Sequence, residues 1–305
     1  MNGLCECLRQ KGMEVLENEP MREHTTFRVG GPARLFVSAH SEEEIIDTLQ
    51  EVKKRNVPLY LTGNGSNLLI ADGGLEGVVL HIGSGMSQIH CEGERIQAQA
   101  GASLSRVAQL ALEQELTGLE PLSGIPGSVG GAAVMNAGAY GGEMSQVVEK
   151  VEVITPQGEK AVLTLKEMEY GYRKSAALSR KMIVTNVHFL LKKGDKEEIA
   201  AKMRTLAAQR REKQPLSLPS AGSFFKRPQG YFAGALIEQA GLKGFRVGGA
   251  AVSELHAGFV VNLGSATATD IYDLMHRVQK TVMEKSGVAL EPEVRLWGFG
   301  AEEIL

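Results

Sequence analysis

Residues 33–67 read ARLFVSAHSEEEIIDTLQEVKKRNVPLYLTGNGSN, and their order decides the fold. Residues 33–39 read as a strand. Ser41 is placed to cap a helix running to residue 56, with Glu44 completing a capping box three residues on. Residues 57–63 return as a second strand that ends on glycine. Strand, helix and strand make a βαβ unit, and its second strand delivers residues 63–74 at its C-terminal end. Open α/β sheets bind their ligands there.

Outward from this unit, residues 77–83 and 95–101 read as short strands and residues 103–116 as an amphipathic helix starting near Ser103. A stretch almost free of charge follows, SGIPGSVGGAAVMNAGAYGGE at 123–143, with seven glycines. Residues 147–165 read as a hairpin turning at Pro156, Gln157 and Gly158, and residues 182–191 as a further strand. Residues 195–214 form a polar-faced helix, and the Pro and Ser content of 215–222 reads as a linker or a positioned loop. Helices at 231–241 and 267–287, the second stopping at Gly287, and strands at 257–264 and 289–298 complete the chain. The expected division is an N-terminal segment (1–30), an α+β region of two lobes (31–195), a connecting helix and linker (196–221) and a second α+β unit (222–305).

Composition narrows the function. The chain has 305 residues and a formal net charge of -3, with 33 Lys and Arg against 36 Asp and Glu. No basic run points to a nucleic acid, whereas a small anion held by a few cations is open. Three cysteines, Cys5, Cys7 and Cys91, do not make a disulfide framework, so reduced thiols in the cytoplasm are expected. No apolar run has the form of a signal peptide or a membrane span. The histidines and cysteines have neither HExxH nor zinc spacing, and no metal is expected.

Gly63, Asn64, Gly65, Ser66 and Asn67 have the makings of an anion nest, in which positive φ at the glycines turns backbone N–H groups toward a pyrophosphate. A simple turn between strand and loop fits the same residues. The P-loop pattern is absent, and the GxGxxG spacing fails at Leu68. In the second stretch, Gly124, Gly127, Gly130 and Gly131 let backbone approach a flat or extended ligand, or pack as a Gly/Ala turn in a core. Arg173 beside Tyr172 can hold a carboxylate with two parallel N–H bonds. Ser223 follows a glycine and precedes Lys226 and Arg227, a hydroxyl with two cations for an anionic substrate, or a turn cap. No serine sits in a Gly-x-Ser-x-Gly elbow, which argues against acyl transfer. Glu291 and Glu293 fall two apart in an expected strand, hence on one face.

Taken in order, GNGSNLLI (63–70), GIPGSVGGAAVMNAGAYGGE (124–143), YGYRKS (170–175), AGSFFKRP (221–228), GLKGFRVGGAAVS (241–253) and EPEVR (291–295) resemble the UDP-N-acetylenolpyruvoylglucosamine reductase (MurB) family of peptidoglycan synthesis. The resemblance covers nearly the whole chain. It implies an α+β fold: a two-lobed FAD-binding domain of the vanillyl-alcohol-oxidase (PCMH) type, then a C-terminal α+β substrate-binding domain. It implies non-covalent FAD, since the pyrophosphate loop 63–67 carries no histidine, together with NADPH and UDP-N-acetylglucosamine enolpyruvate as substrates. By the same resemblance the second flavin loop falls on Gly124, Ile125, Pro126, Gly127, Ser128, Gly130 and Gly131, and on Asn136, Gly138 and Ala139. The catalytic residues fall on Arg173, Ser223 and Glu293, and substrate contacts on Tyr172, Lys226 and Arg227. Arg227 stands where many members have Asn, and Leu255 where a Lys is common. The short Lys192-Lys193-Gly194 connection matches the shorter, type II form. Two other readings are open: a flavin oxidase of the same fold, and a colourless UDP-sugar-binding module with no use for the three catalytic residues together.

Overall fold

The computed structural model describes residues 1–300, so the last five residues of the expected C-terminal unit, 301–305, lie outside the described residues. In the first lobe, strands Pro32–Ala39 and Leu59–Thr62 flank the helix Glu42–Lys54 in sequence. Both strands run parallel to Leu75–Ile82, which lies between them in the sheet. The βαβ crossover therefore skips one place, and the skipped place is filled by the strand that follows the glycine turn. Ser41 caps the helix by accepting from the Glu44 N–H at 3.2 Å. The Glu44 carboxylate reaches one residue further back than a capping box requires, accepting from the His40 N–H at 2.8 Å.

The N-terminal segment holds structure that the sequence reading did not assign. Helix Asn2–Gln10 buries Leu4, Cys5 and Leu8 in the main core. Strand Glu14–Pro20 pairs antiparallel with Pro32–Ala39 and forms the sheet's edge.

The second lobe is a five-stranded antiparallel sheet in the order Lys160–Thr164, Val148–Ile154, Ile183–Leu190, Arg95–Gln99, Ile89–Glu92. Its hairpin turns through Gly158, whose φ of 85° suits a residue without a Cβ. Leu35 and Leu80 of the first sheet and Val151 and Phe189 of the second belong to one continuous core, which joins the lobes. The glycine-rich stretch is only partly loop: Ser128 caps a short helix, Val129–Val134, and a small hairpin pairs Gly138–Ala139 with Gly142–Glu143.

Helix Lys196–Lys213 is polar on nearly every side and buries only Ile199. In the C-terminal unit, strands Arg246–Val247, Ala250–Val252 and Val260–Asn262 form an antiparallel sheet. Helices Ala233–Gln239 and Ala268–Ser286 share a core with it, and the second stops at Gly287 in the left-handed region, φ 69°. The final strand is shorter than expected. It spans Arg295–Trp297 and pairs parallel with Leu68–Ile70 of the first lobe. Pro292 has no N–H for a ladder, and residues 291–293 instead run along the Phe224–Lys226 segment, with Glu293 N–H donating to Phe224 O at 2.8 Å.

Candidate active site

Arg173 sits at φ 53°, a left-handed conformation that an arginine adopts at a cost. A tight turn imposes it: the Gly171 and Lys174 backbones exchange hydrogen bonds of 3.1 and 3.2 Å. Asn136 steadies this turn, its Nδ2 donating to Gly171 O at 3.1 Å while its Oδ1 accepts from the Ser145 N–H at 2.9 Å. The guanidinium Nε then donates to Glu293 Oε1 at 2.5 Å, with side chains only 20% and 12% exposed. The Tyr172 hydroxyl donates to the other Glu293 oxygen at 3.4 Å and accepts from the Arg227 N–H at 3.1 Å.

Glu293 is fixed from its own backbone as well. Asn67, at the end of the 63–67 loop, donates through Nδ2 to Glu293 O at 3.1 Å, and Asn67 O accepts from the Arg295 N–H at 3.0 Å. The two acids expected on one face are thereby separated. Glu293 is held inside, while Glu291, 71% exposed, pairs with Lys226. Lys226, expected to meet a substrate, is spent on that surface pair and does not reach the cleft.

Arg173, Ser223 and Glu293 line one cleft of about 630 Å³, with Tyr172, Arg227 and Leu255 on its walls. The Ser223 hydroxyl makes one long contact, 3.5 Å to Phe225 O, and is otherwise available. The Arg227 guanidinium lies 4.4 Å from the ring centre of Phe232, an exposed aromatic at the rim. His256, which the sequence reading did not single out, also lines the cleft. Burial pushes its imidazole below the ordinary histidine value.

Gly138 and Ala139 line the same cleft, so the second glycine stretch ends beside Arg173, Ser223 and Glu293. The two glycine loops also touch. A Cβ on Gly63 would come within 2.4 Å of Ser128 Oγ, and one on Gly65 within 1.9 Å of His24 O. Gly130 is pressed on Ala100, and Gly124 on the Arg210 side chain. Gly63, Gly65 and Gly130 are needed for chain to approach chain, whereas the flexible Arg210 side chain can yield to a Cβ on Gly124. Gly127 has room, its nearest neighbours, Ile125 and Ser66, being 3.8 Å away. The N–H groups of Val129 and Gly130 are spent on Ala102 O and Ala100 O, the Ser128 hydroxyl on its helix cap, and the Asn136 amide on its two backbone partners. Ser128, Gly130 and Asn136, expected at the cofactor, make contacts that hold the loop in place. A tight turn carries Ile125 and Pro126, with Gly127 N–H donating to Ile125 O at 2.9 Å.

The first loop is different. The N–H groups of Asn64, Gly65 and Ser66 donate to no acceptor among the described residues, and Gly65 has φ 58°. Thr26 donates its N–H to Gly65 O at 3.2 Å, and its hydroxyl is buried with no partner. Neighbouring unused donors at a left-handed glycine fit the diphosphate of a dinucleotide such as FAD. Among the described residues no three or more His, Cys, Asp or Glu gather as a metal site would require, and no helix is long and apolar enough to cross a membrane.

Family comparisons agree with this geometry. Residues 33–164 match the FAD binding domain family, and residues 214–297 the C-terminal domain of UDP-N-acetylenolpyruvoylglucosamine reductase. The UDP-N-acetylenolpyruvoylglucosamine reductase of Caldanaerobacter subterraneus subsp. tengcongensis is 48% identical over 301 residues, 97% of this chain and 99% of that protein. That of Clostridium novyi is 48% identical over 289 residues, 95% of this chain and 94% of its own. The crystal structure of the Thermus caldophilus enzyme superposes with a TM-score of 0.80 at 38% identity, covering 93% of this chain and 98% of that one. The chain belongs to the UDP-N-acetylenolpyruvoylglucosamine reductase family and is an FAD-dependent oxidoreductase.

Proposed function

We propose that the cleft reduces the enol ether double bond of UDP-N-acetylglucosamine enolpyruvate to give UDP-N-acetylmuramate, a precursor of the cell wall, with NADPH as the source of the hydride. The observation that carries this is the meeting of Arg173, Ser223 and Glu293, from three distant parts of the chain, in one cleft that Gly138 and Ala139 also line. Residues 63–67 and Gly127 hold non-covalent FAD, with Gly124, Ile125 and Pro126 shaping its loop. FAD held there would supply the hydride chemistry that links NADPH to the terminal carbon of the double bond. Domain 31–195 serves the cofactor, and 222–305 brings Ser223 and Glu293 to the substrate. Free thiols at Cys5, Cys7 and Cys91 suit a cytoplasmic enzyme.

Hydride addition drives negative charge through the α-carbon onto the substrate carboxylate, and a group that binds more tightly as this charge grows lowers the barrier. Arg173 has that role. Glu293 occupies its Nε, which leaves the outer guanidinium nitrogens in a fixed plane for the carboxylate. Ser223 gives the α-carbon its proton; a hydroxyl is a weak acid, but the carbanion is a strong base and the cleft fixes the geometry. Arg227 and Tyr172 contact the substrate from the rim, and Leu255 offers an apolar wall.

The reading is tested by looking for a flavin spectrum in purified protein and following NADPH consumption with and without the enolpyruvyl UDP-sugar. Turnover that needs both is expected; no flavin uptake and no substrate-dependent consumption after adding FAD sinks the reading. In Ser223→Ala, NADPH still bleaches the flavin, but reoxidation by the substrate slows at least about 100-fold. Reoxidation at the wild-type rate would remove Ser223 from the role of proton donor.

A further inference from the structure

His256 stands in the cleft wall on a turn that fixes its ring. Ser253 Oγ accepts from the N–H groups of Leu255 and His256 at 3.1 and 3.3 Å, and Phe259 N–H donates to His256 O at 3.0 Å. The imidazole Nδ1 accepts from the Gly258 N–H at 3.0 Å, and the ring meets Phe259 edge-on with centroids 5.1 Å apart. With the Nδ1 lone pair engaged, the neutral ring carries its proton on Nε2. Nε2 meets no acceptor among the described residues. Protonation of Nδ1 would set two N–H donors against each other, and burial, with Lys243 adding to it and Glu238 opposing it, also disfavours the cation.

The ring is also close to the proton donor. A Cβ on Gly258 would lie 3.1 Å from His256 Nδ1 and 3.6 Å from Ser223 Oγ, so one glycine separates the imidazole from the hydroxyl. Arg173 is neutralised by Glu293 as far as net charge is concerned, so this pair brings no net positive charge to the cleft, and Arg227 is held at the rim against Phe232. The substrate carboxylate enters with one negative charge and gathers a second as the hydride adds. A net-neutral ion pair on one side leaves the other carboxylate oxygen in want of a donor.

We propose that His256 is a further catalytic residue of this reaction: its Nε2–H donates to the carboxylate oxygen that faces away from Arg173 and holds the charge that gathers there. The proposal rests on the reaction read above. The hydride brings two electrons to the terminal carbon, the double-bond pair moves toward the carboxylate, and Ser223 then supplies the proton at the α-carbon. NADPH is oxidised, the double bond is reduced, and His256 keeps its own proton throughout.

The test uses FAD-loaded wild type, His256→Phe, which keeps a ring but no N–H, and His256→Gln, whose amide N–H falls near Nε2. After reduction by NADPH, reoxidation by the enolpyruvyl UDP-sugar is followed by stopped flow, and the affinity for UDP, which lacks the enolpyruvyl group, is measured separately. His256→Phe is expected to slow reoxidation about 100-fold, and His256→Gln to restore at least about 10-fold of it. Flavin reduction by NADPH and UDP affinity stay within about twofold in both. The proposal is overturned if His256→Phe reoxidises within about threefold of wild type, or if both variants are equally slow and lose UDP affinity alike, the mark of a collapsed 253–259 turn. Failure of wild type to reoxidise would instead remove the reaction itself.

Discussion

His81 lies beside the stacked rings of Phe36 and His24, 5.3 Å from Phe36 and 6.1 Å from His24 by centroids. Burial first, and the neighbouring His24 second, push its imidazole down to about 4 from the ordinary 6.5. The folded state therefore keeps this ring neutral, while the unfolded chain takes up a proton below about 6.5. Stability on this account is full above that pH and is lost as pH falls from 6.5 toward 4, at roughly 1.4 kcal/mol per unit. Wild type is expected to lose about 2 kcal/mol more than His81→Phe between pH 7 and pH 5, read from urea unfolding at each pH. Equal slopes in the two proteins would refute it. At the same scale, sequence marked the right glycines for a partly different reason. Gly63, Gly65 and Gly130 face Ser128, His24 and Ala100, parts of the chain too distant in sequence for local spacing to bring them together. Lys226 and Arg227 are adjacent in sequence, yet one pairs at the surface and the other lines the cleft; without a regular strand, nothing in their spacing assigns them to opposite sides.

Helix Ala268–Ser286 shows what an element reveals of itself and what it does not. Its start at Thr267, with Asp270 closing a capping box, and its stop at Gly287 are local signals. Asp72, 196 residues earlier, is not: its carboxylate accepts from the Ala268 and Thr269 N–H groups at 2.8 and 2.9 Å and from the Thr269 hydroxyl at 2.7 Å. The first lobe thus caps a helix of the C-terminal unit, satisfying N–H groups that Thr267 cannot reach. Asp72→Ala is expected to cost about 1–2 kcal/mol, and Asp72→Asn less, by chemical denaturation. An unchanged midpoint in Asp72→Ala would show the contact to be idle. Strand Glu14–Pro20 escaped sequence reading because Val15 is its only fully buried residue, so it carries no alternation. Its place is set by the partner strand.

Across the whole molecule, the last described strand closes the site. Trp297 is 4% exposed and packs at 5.2 Å from the Tyr60 ring in a small core beneath the first sheet. It anchors Arg295–Trp297 beside Leu68–Ile70, and this pairing holds Asn67, at the cofactor loop, against the backbone of Glu293. Sequence could name Glu293 from its motif, but not that it sits just ahead of a strand paired with Leu68–Ile70 of the first lobe, because strand partners are a property of the folded chain. Catalysis and stability should therefore fall together when the anchor is removed. Trp297→Ala empties a buried site and is expected to cost about 3–5 kcal/mol, with kcat falling at least tenfold as Glu293 and its Arg173 pair lose their hold. Trp297→Phe is the contrasting case. The indole N–H has no partner among the described residues, so its loss forfeits no hydrogen bond there, and the cost is expected to stay below about 1.5 kcal/mol with kcat near wild type. Calorimetry and steady-state kinetics on both variants decide the matter. If Trp297→Ala loses stability while keeping wild-type kcat, Glu293 is positioned by the Phe224 contact alone and the strand has no part in holding the site.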